Sequence, residues 1–223
     1  MARREKYFTT ETIDERSARF LRDPEVIRRE DPPGFDPRVS ALLVLDLQRY
    51  FLEEESHAFV PSAAAILPRV RALTDVWIGG GRPCVFTRHE NTRENAGRMA
   101  EWWRDLVGPG DPRGELAKEI GADRGRVVVK GRYDAFHGTE LEETLRKEGV
   151  EQVVICGVLA HLCCESTARS AFIRDFRVFF VVDGVADYNA AFHRASLLNL
   201  SHGFARPVLA GDLLAEWEAL HDG

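Results

Sequence analysis

Val153-Val-Ile-Cys-Gly-Val-Leu-Ala-His-Leu-Cys-Cys-Glu-Ser-Thr167 is the stretch from which the rest of the chain can be read. Val153 to Cys156 is a short apolar run with the β-branching of a buried strand, and Ser166 to Arg174 has the apolar spacing of an amphipathic helix. Between them lies a tight turn. The unit is strand, turn and helix start, and a helix start offers unpaired N–H groups and a positive dipole end. Cys163 or Cys164 at that place would have its thiolate favoured and is a candidate nucleophile. The competing reading is that both are small core residues, because free cysteine is among the most buried residue types.

Working outward, the same grammar repeats. Ala41-Leu-Leu-Val-Leu45 is a continuous apolar strand ending in Asp46, of the kind buried on both faces of a parallel sheet. Ile66, Val70, Leu73 and Trp77 mark an amphipathic crossover helix over Ala63 to Ile78, stopped by three glycines at 79 to 81, with Pro68 in its first turns or kinking it. Further strands are predicted at Pro83 to Thr87, Arg126 to Lys130, Val178 to Val182 and Arg206 to Leu209. Helices are predicted at Glu115 to Ile120, from the capping box Thr139-x-x-Glu142 to Lys147, and at Glu165 to Asp175, Ala190 to His202 and Asp212 to Leu220. Asn91 to Pro112, polar and carrying Trp102 and Trp103, is long enough to be a functional loop or lid. The alternation predicts an α/β fold: a doubly wound, six-stranded parallel sheet, Rossmann-like, forming one domain over residues 39–223. Residues 1–38, charged and closed by Asp31-Pro-Pro-Gly-Phe-Asp-Pro37, read as an N-terminal arm that packs on the surface or reaches a partner subunit, with a short helix from Thr12 to Leu21.

Composition excludes several classes. With 223 residues, 44% hydrophobic and 30% charged, the chain can bury a full core, and a second domain is not expected. A net charge of −6 without a long basic block argues against nucleic acid. No apolar run reaches a membrane span and the N-terminus lacks a signal peptide's apolar core, so no membrane partner and a cytoplasmic location are expected. The four cysteines, 84, 156, 163 and 164, have no paired C-x-x-C spacing and read as free thiols. No metal and no cofactor are expected.

Ligands of doubly wound sheets bind outside the carboxyl ends of the strands. Asp46, Lys130 and the turn at Cys163 all fall on that rim. An acid, a cation and a thiol together suggest covalent catalysis: Asp46 takes the thiol proton, Lys130 holds the carboxylate ionised, and N–H groups of the turn, at Leu159 and Cys163, stabilise an oxyanion.

Leu45-Asp46-Leu-Gln48, Val129-Lys130 with Arg132-Tyr-x-Ala-Phe136-His137, and Gly157-Val-Leu-Ala-His-Leu-Cys163 together resemble the isochorismatase-like hydrolases, also called the cysteine hydrolase superfamily. The resemblance covers about Ser40 to Leu214. It implies a six-stranded Rossmann-like sheet, Asp46, Lys130 and Cys163 as a catalytic triad, a cis Val158–Leu159 peptide, and a small-molecule substrate. With the N-terminal arm it also implies a homo-oligomer, dimer or tetramer. The Lys-x-Arg-Tyr-x-Ala-Phe-His stretch, the Trp-rich segment ending Gly108-Pro-Gly110, and Ala160-His161 look closest to isochorismatases, which cleave a vinyl ether and, as the resemblance implies, typically lack the cysteine. Cys163 is what the amidase branch, nicotinamidases and N-carbamoyl amine hydrolases, uses on C–N bonds. The expectation is therefore hydrolysis of an amide or carbamoyl bond. Vinyl-ether cleavage with Asp46 as general acid is the alternative, and a non-catalytic binding or scaffold protein a third reading. The Asp-x-His metal motif of many nicotinamidases is not matched by Glu53 to His57 or by His89. Gln48, Arg88, Arg98, Trp102, Trp103 and Phe136 are the substrate-pocket candidates, Arg98 for a carboxylate. His161 and His193 read as structural or interface residues.

Overall fold

The structure, a computed structural model, describes residues 3–26, 34–103 and 105–221. Asp31 to Pro33, within the proline-rich close of the arm, lie outside them. In chain order the strands are β1 Ser40–Leu45, β2 Cys84–His89, β3 Arg126–Lys130, β4 Gln152–Val158, β5 Arg177–Ala186 and β6 Arg206–Val208. The helices are α1 Ile13–Arg22, α2 Arg49–Leu52, α3 Ala63–Gly79, α4 Met99–Trp102, α5 Leu141–Lys147, α6 Glu165–Ile173, α7 Ala190–Gly203 and α8 Ala210–His221.

All six strands pair in parallel, in the order β3-β2-β1-β4-β5-β6. Side chains alternate across the sheet, so each central strand feeds two cores. Leu42 and Val44 of β1, with Val154 and Cys156 of β4, enter one; Ala41, Leu43 and Leu45, with Val153 and Ile155, enter the other. Burial on both faces is why these strands read as unbroken apolar runs. The order reverses between β1 and β4, and a crevice opens there at the carboxyl ends. Gly157 is required at this seam: its φ is +119°, and a Cβ would lie 2.1 Å from the Leu45 carbonyl oxygen.

Three local expectations are corrected. β5 runs on past Val182 to Ala186, because Asp183, which looks like a turn residue, is buried with Arg69 at 3.1 Å and accepts the Ala210 N–H at 2.8 Å. No helix spans Glu115 to Ile120. The Glu115 carbonyl accepts the Arg49 N–H and the Ala117 N–H donates to the Leu47 carbonyl, which holds the chain extended between two short 3₁₀ turns, Pro112–Gly114 and Lys118–Ile120. The Thr139 capping box does not form as expected: Thr139 Oγ1 donates to the Ala135 carbonyl at 2.6 Å and accepts the N–H of Leu141, at 3.3 Å, rather than that of Glu142, and α5 begins at Leu141.

The described part of the 1–38 segment is woven into the main core. Tyr7, Phe8 and Ile13 are buried there, and Phe20 packs against both cores. No helix among the described residues is long and apolar enough to cross a membrane.

Candidate active site

Asp46 leaves β1 with φ of +52°, a left-handed conformation uncommon outside glycine and best tolerated by Asn and Asp. Neighbouring β2 fixes it in place. Leu45 is in register with Thr87; the Asp46 N–H donates to Thr87 Oγ1 at 3.2 Å, and that hydroxyl donates to Asp46 Oδ1 at 2.6 Å. From the end of β3, Lys130 reaches across β2. Its ammonium has three N–H donors and three partners: Asp46 Oδ2 at 2.7 Å, the Arg132 carbonyl at 2.9 Å and Cys163 Sγ at 3.4 Å. The side chains of Asp46 and Lys130 are both fully buried.

After β4 and a cis Val158–Leu159 peptide the chain makes one wide π-type turn, Ala160–Cys164, before α6. The His161 N–H donates to Asp187 Oδ2, and those of Leu162 and Cys164 to the Leu159 carbonyl. The Leu159 and Cys163 N–H groups, the donors expected for an oxyanion, are not among those so engaged.

The charges are set by this packing. Burial alone would raise the Asp46 carboxyl, but the Lys130 ammonium, then His89, then hydrogen bonds from Cys163 and Lys130, together outweigh it and hold the group below the usual carboxylate range. For Lys130 burial is likewise outweighed, by the charges of Asp46 and Cys163, and its pKa is raised. Cys163 goes the opposite way from the sequence expectation. Burial and then the Asp46 carboxylate push the thiol up, and Lys130 offsets only part of that. The resting site is therefore carboxylate, ammonium and thiol, with the carboxylate as the group able to accept the thiol proton.

Cys163 opens on a narrow cavity of about 30 Å³, against the ~10–15 Å³ that one water needs. Tyr50, Phe51, Met99, Trp103 and Leu162 give it apolar walls, with Asp105 among the lining residues. The 91–107 segment closes over it, its ends tied by the Asn91 N–H to the Val107 carbonyl at 2.8 Å.

Of the expected pocket residues, Gln48 and Trp103 line this cavity. Trp103 Nε1 donates to the Tyr133 hydroxyl at 2.9 Å. Gln48 is a clamp: Oε1 accepts the His89 N–H at 2.8 Å, and Nε2 donates to the His89 and Gly114 carbonyls, each at 3.1 Å. The other four do not line this cavity. Arg88 alternates to the opposite side of β2 from Thr87 and His89 and pairs with Glu90. Arg98 projects into solvent, 90% exposed and paired with Glu101. Trp102 is 81% exposed. Phe136 stacks on Phe176 within the second core. The sequence reading missed Thr87 and His89 as site residues; two-residue alternation at a strand's carboxyl end was the signal available. No cluster of three or more His, Cys, Asp or Glu suited to hold a metal occurs among the described residues.

A parallel doubly wound sheet with an acid, an ammonium and a thiol at its switch point defines a Rossmann-like α/β protein with a candidate cysteine-based site. The isochorismatase domain model matches residues 40–212, and the chain belongs to that family. It is 38% identical to Nicotinamidase 3 of Arabidopsis thaliana over 185 residues, 80% of this chain and 87% of that protein. It is 32% identical to an isochorismatase of Bacillus subtilis over 185 residues, 80% of this chain but 58% of that longer protein. In fold it resembles the crystal structure of a cysteine hydrolase from Pseudomonas syringae pv. phaseolicola, with a TM-score of 0.80 and 23% identity, over 86% of this chain and 99% of that one.

Proposed function

We propose that this family hydrolase cleaves the C–N bond of a compact, uncharged amide through a thioester on Cys163. The observation that carries the reading is the protonation pattern: a thiol on the cavity, with a carboxylate held ionised beside it by a buried ammonium. Asp46 takes the thiol proton as Sγ bonds to the carbonyl carbon, and the Leu159 and Cys163 N–H groups receive the oxyanion; losing one such donor typically costs about 3 kcal/mol. The C–N bond then breaks as Asp46 returns the proton to the departing nitrogen. Water, deprotonated by Asp46, adds to the thioester, the S–C bond breaks, and the thiolate regains the proton. Lys130 keeps Asp46 charged between steps and stabilises the transient thiolate.

Vinyl-ether cleavage, suggested by the isochorismatase relative, requires Asp46 to begin as an acid. A carboxyl held below its usual range is a weak candidate for that role, and the apolar lining with Asp105 favours an uncharged substrate over an anionic one. The test is a panel of nicotinamide, pyrazinamide, carbamoyl amines and isochorismate, assayed for ammonia and for pyruvate, with wild type and Cys163→Ala. Ammonia release that vanishes in the variant is the expected result. Pyruvate release that survives in it would overturn the reading in favour of the vinyl ether, and no turnover of any kind would favour a binding protein.

A further inference from the structure

The turn that carries Cys163 is tied down from behind. The His161 N–H donates to Asp187 Oδ2 at 2.8 Å, and His161 Nδ1 lies 2.7 Å from the same oxygen. The second oxygen, Oδ1, accepts the Tyr188 N–H at 2.7 Å. The His161 ring also stacks on Phe192 of α7, with centroids 4.2 Å apart. Where Asp187 sits therefore decides where His161 sits, and Cys163 follows two residues later in the same turn.

Asp187 is itself placed by a residue from the other end of the chain. Its N–H donates to the Tyr7 hydroxyl at 2.9 Å, and that hydroxyl lies 2.9 Å from His193 Nδ1. A backbone N–H only donates, so the Tyr7 oxygen is its acceptor, and the hydroxyl hydrogen is left for the imidazole. Burial, and then the Asp187 charge, raise the Tyr7 pKa well above its ordinary value, so this donor stays protonated. Tyr7, Asp187 and His193 are all buried, and removing the hydroxyl would leave the Asp187 N–H without its acceptor where water does not reach it. The rest of the segment is held by other contacts. The Tyr7 ring packs against Phe8, Phe20 and His193, the Glu5 N–H donates to the Tyr188 carbonyl at 2.7 Å, and the Phe8 N–H donates to Ser62 Oγ at 3.0 Å. The hydroxyl is thus separable from the packing around it.

We infer that Tyr7 is a positioning residue for Cys163: its hydroxyl fixes the Asp187 backbone, the Asp187 carboxylate fixes His161, and the turn thereby holds the thiol against Asp46 and Lys130. Tyr7 does not line the cavity, so it acts through Asp187 and not on the substrate. The inference rests on the thioester reading above. Attack by Sγ needs the thiol, its base and the carbonyl carbon in one near-attack geometry, and a displacement of about 1 Å can cost on the order of 100-fold. A hydroxyl two hydrogen bonds removed from the turn should therefore show in kcat, while the cavity walls that bind substrate stay in place.

The experiment measures kcat and KM for ammonia release from nicotinamide, per folded molecule, in wild type, Tyr7→Phe, Asp187→Ala, the double variant and Phe8→Leu. Tyr7→Phe keeps the ring and should lower kcat by about 10-fold with KM within about threefold. In the Asp187→Ala background the same change should cost less than about twofold, because the link through which Tyr7 acts is already gone. Phe8→Leu trims a buried side chain of the same segment and keeps the hydroxyl; it should lower the urea midpoint yet leave kcat within about twofold. Equal losses from Tyr7→Phe in both backgrounds, an unchanged kcat, or a loss in Phe8→Leu as large as in Tyr7→Phe overturns the inference. Amide hydrogen exchange followed by NMR gives a readout independent of turnover. The His161 N–H should exchange at least about 10-fold faster in Tyr7→Phe than in Phe8→Leu, with the β4 amides alike in the two, and equal exchange at His161 overturns the inference. A wild type that hydrolyses no amide overturns the thioester reading, and the exchange comparison then still supports or overturns the hold of Tyr7 on the turn.

Discussion

Two buried aspartates stand at the carboxyl rim of the sheet. Asp46 follows β1 and Asp187 follows β5; each is fully buried, and each meets a nitrogen-bearing side chain at 2.7 Å, Lys130 in one case and His161 in the other. Their remaining partners separate them. Asp187 accepts two backbone N–H groups, from His161 at 2.8 Å and Tyr188 at 2.7 Å, and its own N–H donates to the hydroxyl of Tyr7 from the N-terminal segment. Asp46 is held by side chains: the Thr87 hydroxyl, the Lys130 ammonium and the Cys163 thiol. Backbone donors keep their protons, so a carboxylate bonded to them pins structure, here the turn that carries Cys163. A carboxylate whose neighbours include a thiol facing a cavity can exchange a proton. Burial and ion pairing alone do not distinguish the two; the identity of the donors does.

The sharpest way to break this comparison is to remove each acid. Asp46→Asn and Cys163→Ala should each lower ammonia release by about 10⁴-fold or more per folded molecule, over ~5 kcal/mol in transition-state terms. Asp46→Asn also strands the buried Lys130 charge, so Asp46→Asn combined with Lys130→Met should regain stability in urea titrations without regaining activity. Recovery of activity in the double variant would remove Asp46 from the chemistry.

Asp187→Ala should show the complementary pattern. Urea unfolding should report a loss of about 3–5 kcal/mol, because His161 and two backbone N–H groups lose their partner, while turnover per folded molecule stays within roughly 100-fold. A stable variant that is wholly inactive would erase the distinction.

A smaller effect follows from pH. His193 accepts from Tyr7 within the Asp187 network, and burial lowers its pKa to about 3 from 6.5. The unfolded chain binds that proton at higher pH than the folded one, so stability is full above about 6.5 and is lost as pH falls toward 3. Between pH 7 and pH 5 this amounts to on the order of 2 kcal/mol, with His89, also lowered, acting in the same direction. The Asp46 contribution has the same sign in a more acid window: it is present above the ordinary aspartate value of 3.8 and lost as pH falls through the lower folded value. Unfolding titrations at pH 7, 6 and 5 should show the slope, and His193→Gln should flatten it. The smallest expected effect is at Trp102, outside both networks: Trp102→Ala should change turnover by less than about threefold and stability by less than ~0.5 kcal/mol.

The sequence by itself determined the sheet and its rim. Ala41 to Leu45 and Val153 to Cys156 are apolar without alternation, which only burial on both faces explains, and each strand's last residues are legible once its end is known. That placed Asp46, Lys130 and Cys163 on one edge, although the first two are more than eighty residues apart. The tertiary structure decided what local pattern does not encode. Trp102 and Trp103 are adjacent and chemically alike, yet one lines the cavity and the other faces solvent, because the short α4 turn presents one side only. Arg98 had an equal claim to a ligand until Glu101 paired with it. The rise of the Cys163 thiol and the lowered pKa of His89 depend on burial and on charges brought from β1 and β3. Strand identity follows from neighbours along the chain. Protonation and exposure are set by neighbours across it, and those exist only after the chain has folded.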